Sequence, residues 1–234
     1  MISVKNLYKS FGQIQVLNDV SFDVEAGKVI AVLGPNGSGK TTILKTMLGM
    51  VIPQKGKIVF NGQRLNGQCD YRKKIGYLPQ IAQFPSNLRV KELIKMIKSV
   101  RNVPSNEEEL IETFGLQRFL NERLGNLSGG TKQKVNIVLT FMFDSPLIIL
   151  DEPTAGLDPL SLIHLKELIA KEKAAGKTFL VTTHIMSLVE ELADEIIFLL
   201  EGKIYFQGSV EELKIKTDQK NLEHAIAEIL NDHA

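Results

Sequence analysis

Residues 34–42 read GPNGSGKTT, directly after the apolar run Val29-Ile-Ala-Val-Leu33 and directly before Ile43-Leu-Lys-Thr-Met-Leu48. This stretch satisfies the pattern G-x-x-x-x-G-K-[ST] from Gly34 to Thr41. A chain that carries it in this setting is committed to a buried strand, a glycine loop and a helix in succession, and so to an α/β fold. The glycines let main-chain N–H groups turn inward around a polyphosphate, and the helix N-terminus adds its positive end. The sequence therefore predicts a nucleoside triphosphate site at Gly34, Pro35, Asn36, Gly37, Ser38, Gly39, Lys40, Thr41 and Thr42. In that site Lys40 reaches the β and γ phosphates and the Thr41 hydroxyl ligates Mg²⁺. An ordinary glycine-rich turn has no need of a Lys-Thr pair at this spacing.

The 234 residues suffice for one large domain, or for a core with a sub-lobe. Lys and Arg total 28 against 27 Asp and Glu, a formal net charge of +1, which gives no general case for a nucleic acid or an anionic membrane as partner. A single cysteine, Cys69, cannot form an intramolecular disulfide and suits a reducing cytosol. The N-terminal Met1-Ile-Ser-Val-Lys5 leads straight into a strand-like segment, without the basic and apolar regions of a signal peptide. The most apolar stretch, 135–150, is interrupted by Asp144, Ser145 and Pro146 and falls short of the ~20 residues a membrane helix needs. A chain soluble by itself is expected, with any membrane role coming through a partner.

Strand patterns occupy the N-terminal third. Segments 14–17 and 20–24 flank a turn expected at Asn18-Asp19, and Lys57-Ile-Val-Phe60 before Asn61-Gly62 signals a hairpin. Ile75-Gly-Tyr-Leu-Pro-Gln80 reads as a short strand ending at a polar side chain. From about Ile81 the period becomes helical, with Val90, Leu93, Ile94, Ile97 and Val100 on one face and Lys91, Lys95 and Lys98 on the other. Ser105 with Glu108 resembles a capping box that opens a second helix, closed at Gly115. Residues 81–127 thus form a small helical lobe inserted between two parts of an α/β core. The core resumes at 147–150 and 178–181, and 195–206 folds as a hairpin about Glu201-Gly202. Amphipathic helices at 209–214 and 221–230 form a short C-terminal extension, 209–234. The stretch Leu147-Ile-Ile-Leu-Asp-Glu-Pro153 sets two carboxylates at the exposed end of a buried strand. A P-loop ATPase needs one acid there for Mg²⁺, Asp151, and a second to orient and deprotonate the attacking water, Glu152.

Leu127-Ser-Gly-Gly130, then 147–153, Ala155-Gly-Leu-Asp158 and His184, in that order behind the P-loop, resemble the nucleotide-binding subunit of an ABC transporter. The likeness runs from Val4 to about Gly208, nearly the whole chain. It implies a P-loop NTPase (RecA-like) core, an N-terminal antiparallel β-subdomain and the inserted helical lobe, all within one ABC ATPase domain, 1–234. It also implies roles. Phe11, in Lys9-Ser-Phe-Gly12, stacks on adenine; Gln80 senses Mg²⁺ and γ-phosphate; Ser128, Gly129 and Gly130 face the γ-phosphate held by a second subunit. Asp158 belongs to the loop that communicates between the two sites, and His184 contacts the γ-phosphate. His164, His224 and His233 have no such context and are expected on exposed helix or tail surfaces. The chain departs from the family at Thr131, where glutamine is usual, which puts the hydrolysis rate and the coupling between sites in question.

The implied activity is ATP hydrolysis with Mg·ATP, in a head-to-tail pair with a second, identical subunit, coupled to transport by an integral membrane permease. The implied location is the cytoplasmic face of the membrane. The segment between Lys40 and Ser128 is too short for the coiled coil of chromosome-maintenance ATPases, and a single motif set argues against a tandem translation factor. The short lobe, the Ala-Gly-Leu-Asp-Pro loop, and Val138-Leu-Thr-Phe-Met where import subunits more often have Ala-Arg-Ala-Leu resemble export-type (ABC-2-like) subunits. A non-transport regulator or assembly factor is the alternative; residues 71–88 faintly resemble subunits that serve nitrous-oxide reductase copper-site maturation.

Overall fold

The computed structural model describes residues 1–65, 67 and 69–231, so that His233 lies outside the described residues. The chain begins with strands β1 (Ile2–Phe11), β2 (Ile14–Val24) and β3 (Val29–Leu33), helix α1 (Lys40–Met47), and strands β4 (Lys55–Phe60), β5 (Gln63–Arg64) and β6 (Ile75–Leu78). Helices α2 (Val90–Arg101), α3 (Glu107–Thr113) and α4 (Gly129–Phe141) follow, then β7 (Leu147–Asp151), α5 (Pro159–Ala174) and β8 (Thr178–Thr182). Last come α6 (Met186–Leu192), β9 (Glu195–Leu200), β10 (Lys203–Gly208), α7 (Val210–Thr217) and α8 (Leu222–Asn231). Two units are formed, one from Met1–Cys69 with Thr178–Ala234 and the other from Asp70–Lys177.

The first unit holds an antiparallel sheet in the order β2-β1-β4-β5 and a mixed sheet in which β3 lies parallel to both β8 and β9, with β10 antiparallel on the far side of β9. All five residues of β3 (VIAVL) and of β8 (TFLVT) are buried, the continuous apolar pattern of strands covered on both faces. β10 alternates exposed and half-buried residues instead, as an outer strand does. Asn61-Gly62 and Glu201-Gly202 turn their hairpins with positive φ at both positions, the geometry that suits the strand twist. The turn expected at Asn18-Asp19 is absent, and β2 runs through it as one strand. Asp19 absorbs the left-handed φ of 57° as a bulge, its carboxylate accepting from Asn6 Nδ2 at 2.8 Å, and the register shifts between Leu7↔Val20 and Lys9↔Leu17. Leu213, Leu222, Ala225 and Ile229 of the last two helices pack with Val189, Ala31, Leu33 and Phe198. Ser209 and Glu212 close a full capping box at the head of α7, at 3.1 and 2.6 Å.

In the second unit β6 and β7 pair in parallel, Tyr77 opposite Ile149. α4 lies close over β6, so that a Cβ on Gly76 would meet Thr140 O at 2.9 Å. Val90, Leu93 and Ile94 of α2 are buried as their spacing predicts, whereas Val100 is exposed. The last turn of α2 is anchored by Arg101 instead, whose guanidinium donates to Lys73 O and Ile75 O and stacks on Phe143. The predicted Ser105–Glu108 capping box does not form. Ser105 bridges to Phe143, its hydroxyl bonds Glu107 at 2.6 Å, and Asn106 becomes the residue before α3. Gly115 follows that helix with φ 62°. His164 is half-buried and sits edge-on to Phe114 at 6.2 Å, contrary to an exposed placement, while His224 is exposed.

Candidate nucleotide site

In the first unit, parallel pairing of Val32 with Thr182 brings the ends of β3 and β8 side by side. The loop 34–39 and the segment Thr183-His184 therefore leave the same sheet edge, the edge at which α/β proteins bind ligands. Gly34 follows β3 with φ 145°, and a Cβ there would stand 2.1 Å from Leu199 O, so no other residue fits. Gly39 has φ 106°, and a Cβ would meet Leu17 Cδ2 at 2.8 Å and Val16 O at 2.9 Å. The loop is thus wedged between the β2 bulge and the end of β9. Gly37, by contrast, has φ 82° with open space beyond its Cα.

α1 begins with no acidic residue in its first turn, so no side chain of that turn offsets its positive end. Lys40 Nζ folds back over the loop onto Gly34 O at 2.8 Å and Pro35 O at 3.0 Å. Thr41 and Thr42 are half-buried on the first turn, and Asn36 is exposed at the loop tip. Ser38 is 3% exposed, yet its Oγ has no hydrogen-bond partner among the described residues. A buried hydroxyl with nothing to bond costs stability unless a ligand supplies the partner. Phe11 ends β1 with its ring 49% exposed, which removes it from the core, and Lys9 Nζ lies 4.9 Å from the ring centroid. His184 is exposed just beyond β8.

In the second unit, Pro79-Gln80 and Asp151-Glu152 leave the ends of β6 and β7, and Gln80 is exposed. Asp151 is 3% exposed at the last position of β7. Burial, and then the Asp151 charge, push the Tyr77 phenol up to about 12, so it stays protonated beside that carboxylate. Glu152 has φ 50°, a left-handed conformation that costs a non-glycine residue of order 1 kcal/mol and turns its side chain away from the strand direction.

Ser128 caps α4. Its Oγ accepts from Thr131 N at 3.3 Å and lies 2.9 Å from Thr131 Oγ1. Gly129 opens on space, whereas a Cβ on Gly130 would meet Gly156 O at 2.5 Å. Further along α4, Gln133 Nε2 donates to Pro153 O at 2.9 Å and Lys134 Nζ pairs with Asp158 Oδ2 at 2.7 Å. Asp158 also caps α5 through Ser161 N and Oγ, both at 2.9 Å. Lys134, and then the Ser161 main chain and hydroxyl, hold the Asp158 carboxyl far below the usual carboxylate range. Lys134, Gln133 and Tyr77 were not singled out from the sequence, since their contacts to 151–158 join residues distant in the chain and no local pattern marks them.

The oxygen donors Thr41, Asp151 and Gln80 are the type a hard Mg²⁺ selects. No cluster of three His, Cys, Asp or Glu residues that could hold a metal exists among the described residues.

A family model described as "ABC transporter" matches residues 17–155, more than half of the chain. Over 208 residues the chain is 37% identical to the lantibiotic transport ATP-binding protein SrtF of Streptococcus pyogenes, covering 88% of this chain and 90% of that one. It is 35% identical to the Nod factor export ATP-binding protein I of Rhizobium sp. (strain N33), covering 89% and 70%. Among solved structures, the ATP-binding subunit of an ABC transporter superposes with a TM-score of 0.91 at 32% identity, over 98% of this chain and 99% of the other. A dimeric ATP-binding cassette in a post-hydrolysis state with ADP and Pi superposes with a TM-score of 0.80 at 28% identity, over 89% and 98%. With the glycine-constrained phosphate loop, the acid pair after β7 and the serine-capped α4 all in place, the chain belongs to the ABC transporter family, as one of its ATP-binding subunits.

Proposed function

We propose that the chain hydrolyses ATP as a head-to-tail pair and drives a separate membrane permease in export. The observation that carries this reading is the loop 34–41, in which only glycine fits at Gly34, Lys40 is folded over the main chain, and the buried Ser38 hydroxyl has no hydrogen-bond partner among the described residues. Lys40 releases its two carbonyl bonds and neutralises the β and γ phosphates, main-chain N–H groups of the loop cradle them, and Phe11 offers its ring to adenine. Thr41 and Asp151, with Gln80, hold Mg²⁺, which when bound screens the charge of the phosphates. Glu152 orients and deprotonates the attacking water, and His184 and Gln80 register the γ-phosphate. Ser128, Gly129 and Gly130 present the N-terminus of α4 to the nucleotide of the partner copy; that a solved relative is dimeric supports the pairing itself. The named relatives are transport and export subunits, which favours export and gives the assembly-factor reading no support.

The membrane partner docks on the helical lobe, 81–127, beside the segment that follows Gln80. Ile81 is 71% exposed there, with Phe84 and Leu88 half-buried. A groove of about 780 Å³ between α2 and α3 has an apolar floor that includes Ile94, Val103 and Ile111 and a rim of mixed charge, Lys91 and Lys95 with Glu107 and Glu108. Among the described residues no helix is long and apolar enough to cross a membrane. Attachment to the cytoplasmic face through this partner is part of the same proposal. Glu152→Gln tests the whole reading. It should bind Mg·ATP, fail to hydrolyse it and accumulate as a dimer. A variant that stays monomeric at saturating Mg·ATP with the permease present would overturn the paired arrangement.

A further inference from the structure

Ser128 Oγ can accept two hydrogen bonds and donate one. Thr131 supplies two donors to it, a main-chain N–H at 3.3 Å and a hydroxyl at 2.9 Å. If Thr131 Oγ1–H points at Ser128, both Ser128 lone pairs are filled and its own hydrogen has only one way to go, outward beyond the helix end. An anion in front of α4 selects this orientation, because a donor aimed at a phosphate oxygen gains a charge-assisted bond while one aimed at Thr131 does not. Filled lone pairs also polarise the Ser128 O–H and strengthen it as a donor.

We propose that Thr131 is the residue that sets the Ser128 hydroxyl as a hydrogen-bond donor to the terminal phosphate held by the partner copy. This rests on the reading of residues 128–130 as the surface that meets that nucleotide. Glutamine, usual at this position in the family, would keep the main-chain donor but has no hydroxyl on its Cβ, so the short hydroxyl contact to Ser128 belongs to this chain. The departure at Thr131 is therefore a substitute device for presenting the serine. Thr131 acts through Ser128 and is a positioning residue.

The test uses the full chain in a Glu152→Gln background, reading the Mg·ATP concentration at which half the protein is dimeric and, separately, nucleotide affinity at low protein concentration. Thr131→Val preserves shape and removes only the hydroxyl; Thr131→Ser restores it. Thr131→Val should raise the midpoint roughly tenfold, the scale of one hydrogen bond to a charged group, without changing monomer affinity. Thr131→Ser should return it to the parent value. Ser128→Ala, which deletes the donor itself, should raise it at least as much, and the double variant Ser128→Ala/Thr131→Val no further than Ser128→Ala alone, because Thr131 acts only through Ser128. Thr131→Ala gives the same measurement if the valine variant folds poorly, with retained monomer affinity as the sign of an intact fold. A midpoint unchanged or lowered by loss of the Thr131 hydroxyl, while Ser128→Ala is impaired, overturns this proposal alone. No effect of Ser128→Ala overturns the contact across the pair and this proposal with it.

Discussion

Gly129 and Gly130 are adjacent in the first turn of α4, and the structure predicts opposite fates for their alanine variants. A methyl on Gly130 would stand 2.5 Å from Gly156 O, where van der Waals contact begins near 3.4 Å, so either α4 or the loop must move by roughly 0.9 Å. Neither moves easily. The loop is closed by Ala155 N to Glu152 O and Leu157 N to Thr154 O, and Lys134 and Ser161 both hold Asp158. Overpacking of this kind costs about 1–3 kcal/mol, offset by up to ~1 kcal/mol from replacing a helical glycine. The net loss of about 1 kcal/mol lowers Tm by ~2–4 °C for a chain of this size. Gly129→Ala meets nothing within 4 Å and should be at least as stable as the parent. If Gly129 faces the partner's phosphate, however, its methyl should block ATP-driven dimerisation. Thermal unfolding and light scattering with Mg·ATP on the two variants separate these effects. Equal losses of stability at both positions, or none at Gly130, would refute the packing argument.

Lys40→Ala should weaken nucleotide binding sharply, because it removes the cation from the phosphates; unchanged affinity by calorimetry would contradict the phosphate site. Phe84→Asp should abolish assembly with the permease and leave ATP binding by the isolated chain intact, as co-purification would read. Asp158→Asn keeps the cap of α5 but loses the pair with Lys134. The folded-state pKa of Asp158 lies below its unfolded value, so its contribution to stability is present above the ordinary carboxylate pKa and is lost as pH falls through the depressed folded value. The half-exposed carboxylate limits the contribution to about 0.5 kcal/mol. Denaturation curves of parent and variant should therefore differ at pH 7 and approach each other in strong acid; a difference that grows on acidification would refute the pairing.

Features whose cause is local were legible in the sequence. Asn61-Gly62 and Glu201-Gly202 turn hairpins because two adjacent residues tolerate left-handed φ, and Ser128 opens a helix because its hydroxyl lies within reach of the N–H three residues on. Asn18-Asp19 carried the same turn signal and misled, since pairing with β1 on one side and the bond from Asn18 N to Gly202 O outweigh it. Ser105 misled in the same way, its capping geometry displaced by the bridge to Phe143. Val100 fits the helical period but falls in the last turn of α2, where Arg101 makes the anchoring contacts. In the candidate site, the residue types were readable. The fastening of α4 to 153–158 was not, because Gly130 against Gly156, Gln133 against Pro153 and Lys134 against Asp158 exist only once the chain has folded.

Leu199 O faces Gly34, and Val16 O faces both Gly39 and Gly202, so three stretches of main chain from the two ends of the sequence meet without room for a side chain. During synthesis the loop 34–39 leaves the ribosome early, but Leu199 and Gly202 follow on the order of ten seconds later at ordinary elongation rates. For most of that interval the five apolar residues of β3 await both neighbouring strands, β8 arriving shortly before β9. Nucleotide binding then becomes a certificate that β9 and the turn after it have been translated. A ribosome stalled before residue 195 should display a nascent chain that ATP-agarose does not retain, and one released beyond β10 should be retained.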